Sequence, residues 1–156
     1  MAAGRRSGFS LIEIMIVVTI ILVIATIAIP RIDAERTMAN ELAAVRMTQT
    51  IHTAQAQYYA QFGRYAPSLT ALGPPSNGAS NDSAAALLPA SLASGKHSGY
   101  LFAVAGGGNG YSISAVPVEY PKSGRRTFFS DETGVLRQHW GAEPADAQSS
   151  EVQSGR

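Results

Sequence analysis

The chain of 156 residues contains no cysteine. This absence excludes a disulfide framework, a thiol nucleophile and cysteine-ligated zinc, although a domain can fold outside the cell without disulfides. The formal net charge is only +1, which gives no reason to expect nucleic acid or an acidic ligand as a partner. The length corresponds to one domain. Because much of the 46% hydrophobic content lies in residues 9–29, the remainder reads as an ordinary, rather polar small domain.

Residues 9–29 form an apolar run in which only Ser10, Glu13, Thr19 and Thr26 are polar. As a helix the run would be about 31 Å long, close to the ~30 Å hydrocarbon core of a bilayer. A bilayer also requires the backbone to satisfy its own hydrogen bonds, which favours a helix. A buried helix of a soluble protein is the alternative. A cleaved secretory signal fits less well, because the run is too long and no small-residue cleavage site follows it.

The acidic residue inside this run, Glu13, needs an explanation. An ionised carboxylate costs about 2.5–3.5 kcal/mol at the bilayer centre. Glu13 lies only about 6 Å of helix rise past Phe9, so its side chain could reach the headgroups. Alternatively, a cut before Phe9 would release an α-amino group at the membrane boundary. That amine could pair with Glu13 of the same chain or of another chain.

The basic residues that flank the run bear on its orientation. Arg5 and Arg6 precede it, and Arg31 and Arg36 follow it. Two basic residues near each end do not decide the orientation by themselves. The short, purely basic N-terminal flank favours an N-terminus in the cytoplasm.

The sequence GFSLIE at residues 8–13, after a short basic leader, closely resembles the processing site of type IV pilins and type II secretion pseudopilins. The resemblance implies that prepilin peptidase cuts between Gly8 and Phe9 and methylates the new amino terminus. Residues 1–8 would then be the leader, with Arg5 and Arg6 as its charges, and residues 9–29 the transmembrane assembly helix. Glu13 matches the glutamate taken to neutralise the amino terminus of a neighbouring subunit. Pro30 matches a proline that commonly kinks or melts the long N-terminal helix of this family.

The same resemblance implies the partners and the location. They are a filament of identical subunits, prepilin peptidase and an inner-membrane assembly platform, with no nucleic acid and no enzymatic activity. The precursor would cross the inner membrane once and then become part of a periplasmic or extracellular filament. Two versions are open: a type IV pilus subunit, which leads, or a major pseudopilin of a type II secretion system. A third hypothesis is an anchored binding module or enzyme that acts alone.

The predicted fold class is α+β, the pilin fold, with a long N-terminal helix on an antiparallel sheet of about four strands. Pro30 predicts a bend at residues 26–31, after which helix continues to about residue 61. A core-facing stripe is expected there, with an earlier stripe slightly out of phase: Met47, Ile51, Ala54, Tyr58, Phe62 and Tyr65, then Met38, Leu42 and Val45.

The globular domain is predicted to span residues 30–140. A long connection at 66–99 carries two short helix candidates, 68–72 and 83–88, and an Asn81-Asp82-Ser83 glycosylation tripeptide. Strands are expected at 100–105, 111–118, 126–130 and 135–139. The polar residues 141–156 are predicted to be a disordered tail.

Beyond the processing site, only one candidate site emerges. Asp131 and Glu132, with Asn109 near them, could offer oxygen ligands to calcium. Major pseudopilins carry a calcium site in this general region, while a solvated turn is the simpler interpretation. His52, His97 and His139 have no ligand spacing and are expected at the surface or half-buried. The chain shows no catalytic pattern, and the glycines at 106–110 lack the lysine of a phosphate loop.

Overall fold

The computed structural model describes residues 8–76 and 78–152, and within its first helix it leaves out the side chains of residues 28–31. The chain divides into two compact units, Met1–Glu35 and Arg36–Arg156. Helix α1, Leu11–Phe62, begins in the first unit and ends in the second.

The first unit consists of the first part of α1 and the segment before it. Almost every side chain from Phe9 to Ile27 is exposed. Among the described residues, α1 is the one helix that is long and apolar enough to cross a membrane, judged by length and composition. The long apolar helix is therefore confirmed. The bend at Pro30 stays a prediction, because that side chain lies outside the described residues.

The second unit contains a six-stranded antiparallel sheet in which each strand pairs with the next along the chain. The strands are β1 Lys96–His97, β2 Tyr100–Gly107, β3 Gly110–Pro117, β4 Arg126–Asp131, β5 Arg137–Trp140 and β6 Ser150–Glu151. Strands β2 to β5 correspond to the four predicted strands. The edge strands β1 and β6 were not predicted, because two residues carry no readable alternation.

The core lies between the sheet and the second part of α1. Strands β2 and β3 alternate buried and more exposed residues, as expected for a sheet with one covered face. Large buried side chains come from both layers: Ile51 and Tyr58 of α1, and Tyr100, Phe102, Ile113 and Phe128 of the sheet. The predicted α+β fold, a helix packed on an antiparallel meander, is confirmed.

The buried face of α1 differs from the prediction between residues 37 and 48. Thr37, Glu41 and Thr48 are buried, whereas Met38 and Leu42 are 67% and 50% exposed. The earlier stripe is therefore wrong as a core face at Met38 and Leu42. Thr37 and Glu41 take inner positions because this part of α1 faces the backbone of a loop, which offers hydrogen-bonding groups rather than apolar side chains. The buried Thr48 hydroxyl instead donates to the Ala44 carbonyl of its own helix at 3.0 Å.

The connection before the sheet contains helices α2, Leu69–Leu72, and α3, Ala90–Ala93. Helix α2 was predicted, at residues 68–72. The prediction of a second short helix at residues 83–88 is wrong, because α3 begins only at Ala90. Instead of starting a helix there, Asn81 accepts hydrogen bonds from the backbone N–H of Ser83 and of Ala84 with its side-chain oxygen. Asparagine competes with helical hydrogen bonding in this way.

The prediction of a disordered tail from residue 141 is wrong for residues 141–152. Ala145 is buried, the Thr127 hydroxyl donates to the Glu143 carbonyl at 2.7 Å, and β6 pairs with β5. Hydrogen bonds and one small buried side chain hold this segment, so its low content of large apolar residues was misleading. Residues 153–156 lie outside the described residues.

Candidate functional site

The Gly8–Phe9 peptide bond lies outside α1. Ser10 caps the helix, because its carbonyl accepts from the backbone N–H of Glu13 at 3.1 Å and of Ile14 at 3.3 Å. Phe9 is 83% exposed, and among the described residues no atom other than those of the adjoining residues lies within 4 Å of the position that a Cβ would take at Gly8. The bond lies before the first residue of α1, so a peptidase has no hydrogen bonds of this helix to break there.

The Glu13 carboxylate is held over the first turn of α1. Its Oε2 accepts from the backbone N–H of Ser10 at 2.8 Å, which is one half of a capping box. This bond satisfies a backbone donor that would otherwise be unpaired, and it places negative charge at the positive end of the helix. The spacing Ser10-x-x-Glu13 is the sequence signal for this cap, which was not predicted.

A cut between Gly8 and Phe9 would leave the new amine one residue before the N–H that Glu13 already binds. The carboxylate and the amine would then lie at the same end of the helix. Opposite charges attract strongly in an apolar surrounding, so Glu13 could pair with its own amine or with that of an adjacent copy.

The side chains of Thr19 and Thr26 in this apolar segment are hydrogen-bonded within the helix. The Thr19 hydroxyl donates to the Met15 carbonyl at 2.8 Å, and the Thr26 hydroxyl donates to the Val23 carbonyl at 2.7 Å. Such bonds lower the cost of placing hydroxyl groups in an apolar surrounding. The leader charges Arg5 and Arg6 lie outside the described residues, so their role stays a prediction.

Asp131, one of the two residues proposed for calcium, is hydrogen-bonded within its own turn. Asp131 Oδ1 accepts from the backbone N–H of Thr133 at 3.0 Å and from its hydroxyl at 2.5 Å, and the bond from the hydroxyl is the main reason that the pKa of Asp131 is lowered. Calcium takes six to eight oxygen ligands. Among residues 8–76 and 78–152, no three His, Cys, Asp or Glu residues are grouped to hold a metal. Calcium binding at Asp131 and Glu132 remains an untested prediction.

His52 links α1 to two strands of the sheet. The Ser130 hydroxyl donates to the Val135 carbonyl at 2.9 Å, so it must accept from Nε2–H of His52, 2.8 Å away. Burial lowers the pKa of His52, against a smaller opposite effect of Asp131, which favours the neutral imidazole. In that form Nδ1 accepts from the Tyr111 hydroxyl at 2.5 Å.

The polar face of α1 is hydrogen-bonded to the loop between β3 and β4. Thr37 and Asn40 donate to the carbonyls of Lys122 and Ser123 at 2.8 and 3.1 Å. Glu41 Oε1 accepts from the backbone N–H of Arg125 at 2.8 Å. Its Oε2 accepts from Nε and NH2 of Arg126 at 2.8 and 2.7 Å. This cluster was not predicted from the sequence, although three polar residues at spacings of three and one are its signal.

The fold and the N-terminal segment together define a class of protein: an apolar helix with a non-helical, exposed N-terminal junction, followed by a small α+β domain. The model of the prokaryotic N-terminal methylation motif matches residues 4–29, and this motif is the hallmark of type IV pilin and pseudopilin prepilins. The match to this motif confirms the resemblance seen in the sequence. A comparison with curated proteins finds no match.

The motif has consequences for processing and location. It implies processing by prepilin peptidase and assembly into filaments. The apolar helix that carries it fits a membrane-anchored precursor. The motif also marks a structural family whose members are generally not enzymes.

Proposed function

We propose that the chain is the structural subunit of a type IV pilus filament. Prepilin peptidase cuts it between Gly8 and Phe9 and methylates Phe9, and the mature subunits polymerise through the apolar helix. The observation that carries the proposal is the methylation motif at residues 4–29. The exposed junction at Gly8 and the carboxylate of Glu13 at the start of the helix support it.

The surface chemistry of α1 supports polymerisation through this helix. In the first unit, apolar side chains are exposed on all sides. In the second unit, Met38 and Leu42 add apolar surface on the side of α1 away from the polar cluster. Exposed apolar area of this extent marks an interaction surface. Lipid covers the membrane segment before assembly, and the helices of other subunits cover it afterwards.

The charge of Glu13 gives the assembly its selectivity. An incoming subunit leaves a state in which the carboxylate is capped only by Ser10 and reaches one in which it faces the amine of a neighbouring Phe9. Breaking a buried ion pair costs about 3–5 kcal/mol. That amount is enough to favour incorporation of a subunit that carries the Glu13 charge over a subunit that lacks it.

The test compares Glu13→Ala, Glu13→Gln and Thr19→Ala in cells that assemble filaments. Glutamine keeps a hydrogen-bond acceptor for Ser10 but removes the charge, so it separates the cap from the ion pair. We expect all three variants to insert into the membrane, as measured by resistance to carbonate extraction. Sheared filament yield should fall at least about tenfold in both Glu13 variants and stay normal in Thr19→Ala. Normal yield from Glu13→Gln would show that the charge does not guide assembly.

The second candidate is a major pseudopilin of a type II secretion system. The absence of cysteine favours it, because many type IV pilins close a C-terminal loop with a cysteine pair. Neighbouring genes separate the two candidates. A retraction ATPase beside this gene supports the pilus, whereas an outer-membrane secretin and a secretion platform support the pseudopilus.

A further inference from the structure

An exposed aromatic and basic surface lies on the second unit. We call it the aromatic loop surface, and it comprises Val118, Tyr120, Lys122 and Arg125 of the β3–β4 loop together with Trp140 at the end of β5. Trp140, the only tryptophan of the chain, is 64% exposed, and Tyr120 is 49% exposed. Soluble domains rarely leave a tryptophan this open, so the surface calls for a partner.

Trp140 and the loop belong to one surface. Trp140 is the cross-strand partner of Arg126, whose guanidinium carbon lies 5.3 Å from the centre of the indole ring. The backbone N–H of Gly141 donates to the Arg125 carbonyl at 3.2 Å. The indole is therefore held beside the end of the loop.

The loop is fixed to the first turns of α1 within the second unit. Its carbonyls at Lys122 and Ser123 accept from Thr37 and Asn40, so the loop lies directly beside these helical residues. Thr37 follows Ile29, the last residue of the apolar run, by eight residues.

The covalent chain limits how far the loop can lie from the membrane. Eight residues span about 12 Å as a helix and at most about 28 Å when fully extended. Whatever path the chain takes after the apolar run, the loop beside Thr37 stays within that reach of the bilayer boundary. The headgroup and interfacial layer adds several ångströms on each side of the hydrocarbon core, which shortens the gap further.

The chemistry of the surface matches the membrane interface. Tryptophan and tyrosine are enriched where the hydrocarbon meets the headgroups, because their rings are apolar and their N–H or O–H groups are polar. Lysine and arginine can extend their charged ends to the headgroups above such rings. We propose that the aromatic loop surface docks on the interface of the membrane in which α1 is anchored, which rests on the proposed role as a membrane-anchored prepilin.

Charge makes only a small contribution to this docking. Lys122 Nζ lies 2.6 Å from Glu119 Oε1, and Arg126 is paired with Glu41. Arg125 belongs to neither of these two ion pairs. The docking therefore depends on Trp140 and Tyr120. It occurs on neutral lipid and persists at high salt, unlike the binding of a polybasic segment.

The experiment uses Trp140 as its own reporter. The full chain is reconstituted in phosphatidylcholine nanodiscs at no more than one copy per disc, which removes a second copy as a source of protection. We expect blue-shifted Trp140 emission and protection from iodide. Lipids brominated near the headgroup end of the acyl chain should quench the emission more than lipids brominated near its tip. High salt should leave all three readings unchanged.

Two variants sharpen the result. Tyr120→Ser removes a ring from the surface and should shift the emission to the red and restore iodide quenching. Tyr59→Ser is the matched control, because Tyr59 is exposed to a similar degree, 45%, but lies on α1 22 residues beyond Thr37; it should change neither reading.

Three outcomes would overturn the docking. Water-like emission with full iodide quenching in discs that contain inserted protein would refute it and leave the prepilin assignment intact. Protection that appears only in discs with several copies would identify another subunit as the partner instead of lipid. Failure of the chain to insert into discs would contradict both the docking and the membrane-anchored precursor.

Discussion

The ion pair between Glu41 and Arg126 gives the most quantitative test of how the second unit is held together. Its two side chains are 8% and 24% exposed, and the oxygen–nitrogen distance is 2.7 Å. The surface pair Glu119–Lys122 is equally short at 2.6 Å, but its side chains are 61% and 77% exposed. Both pairs join a glutamate to a basic side chain, an arginine in the first and a lysine in the second, and they differ strongly in burial.

Replacing Glu41 with alanine should destabilise the domain by about 3 kcal/mol. Removing one partner of a buried pair costs about 3–5 kcal/mol, and we take the low end because Arg126 keeps its bond to Gln138 and reaches solvent. The backbone N–H of Arg125 also loses its acceptor, although water can replace part of that bond. Glu119→Ala should cost no more than about 1 kcal/mol, as is usual for exposed pairs.

The assay is thermal unfolding of the full chain in detergent, followed by near-ultraviolet circular dichroism. For a domain of this size, about 3 kcal/mol corresponds to a fall in Tm of about 10 °C. Glu119→Ala should stay within a few degrees of the original chain. Equal shifts for the two variants would show that burial of Glu41 does not set its contribution, and the argument from burial would be refuted.

Two further predictions concern buried polar groups of α1. Gln55 exchanges two hydrogen bonds with the backbone of Ala66, at 2.8 and 3.1 Å. Because Gln55→Leu removes both bonds, it should lower the free energy of unfolding, measured by urea titration, by about 2–4 kcal/mol. The control Gln57→Leu, at an exposed position of the same helix, should change this free energy little. Burial lowers the pKa of His52 below its ordinary value of 6.5. The contribution of His52 to the free energy of unfolding is therefore fully present above pH 6.5, and it is lost as the pH falls toward the lowered pKa. Stability measured across this range should decline toward acid and decline less in His52→Gln; an unchanged slope in the variant would contradict the neutral, Tyr111-bonded imidazole.

The sequence predicted the elements that are long enough to show a helical or alternating pattern of apolar residues. The apolar run, the second part of α1 and strands β2 to β5 all have clear helical or alternating patterns, and the structure contains them. The processing motif was also visible, because it is a local string of residues at 8–13 next to an apolar run.

The missed features depend on contacts between residues that are distant in sequence. Glu41 is inward-facing because Arg125 and Arg126, more than 80 residues later, supply its partners. Likewise, Gln55 is buried only because the backbone at Ala66 returns to it. Helical periodicity treats such residues as solvent-facing, so it placed Met38 and Leu42 in a stripe of their own.

The tail illustrates a different limit. Composition indicated disorder for residues 141–156, because large apolar side chains are scarce there. A short segment can nevertheless be held by an existing sheet, since β5 already offers an unpaired edge. Only the position of that edge in space, which the sequence does not display, makes β6 possible.

The most direct test of the account is the N-terminus of the protein isolated from cells with and without active prepilin peptidase, determined by intact and peptide mass spectrometry. Gly8→Val serves as the control, because within the part of the chain that the structure describes a side chain at this position meets no atom beyond the adjoining residues, so we expect the fold to stay unchanged. We expect the chain to begin at N-methylated Phe9 when the peptidase is active, and at or near Met1 when it is inactive or when Gly8 is replaced. A chain that keeps residues 1–8 beside an active peptidase would contradict the central claim.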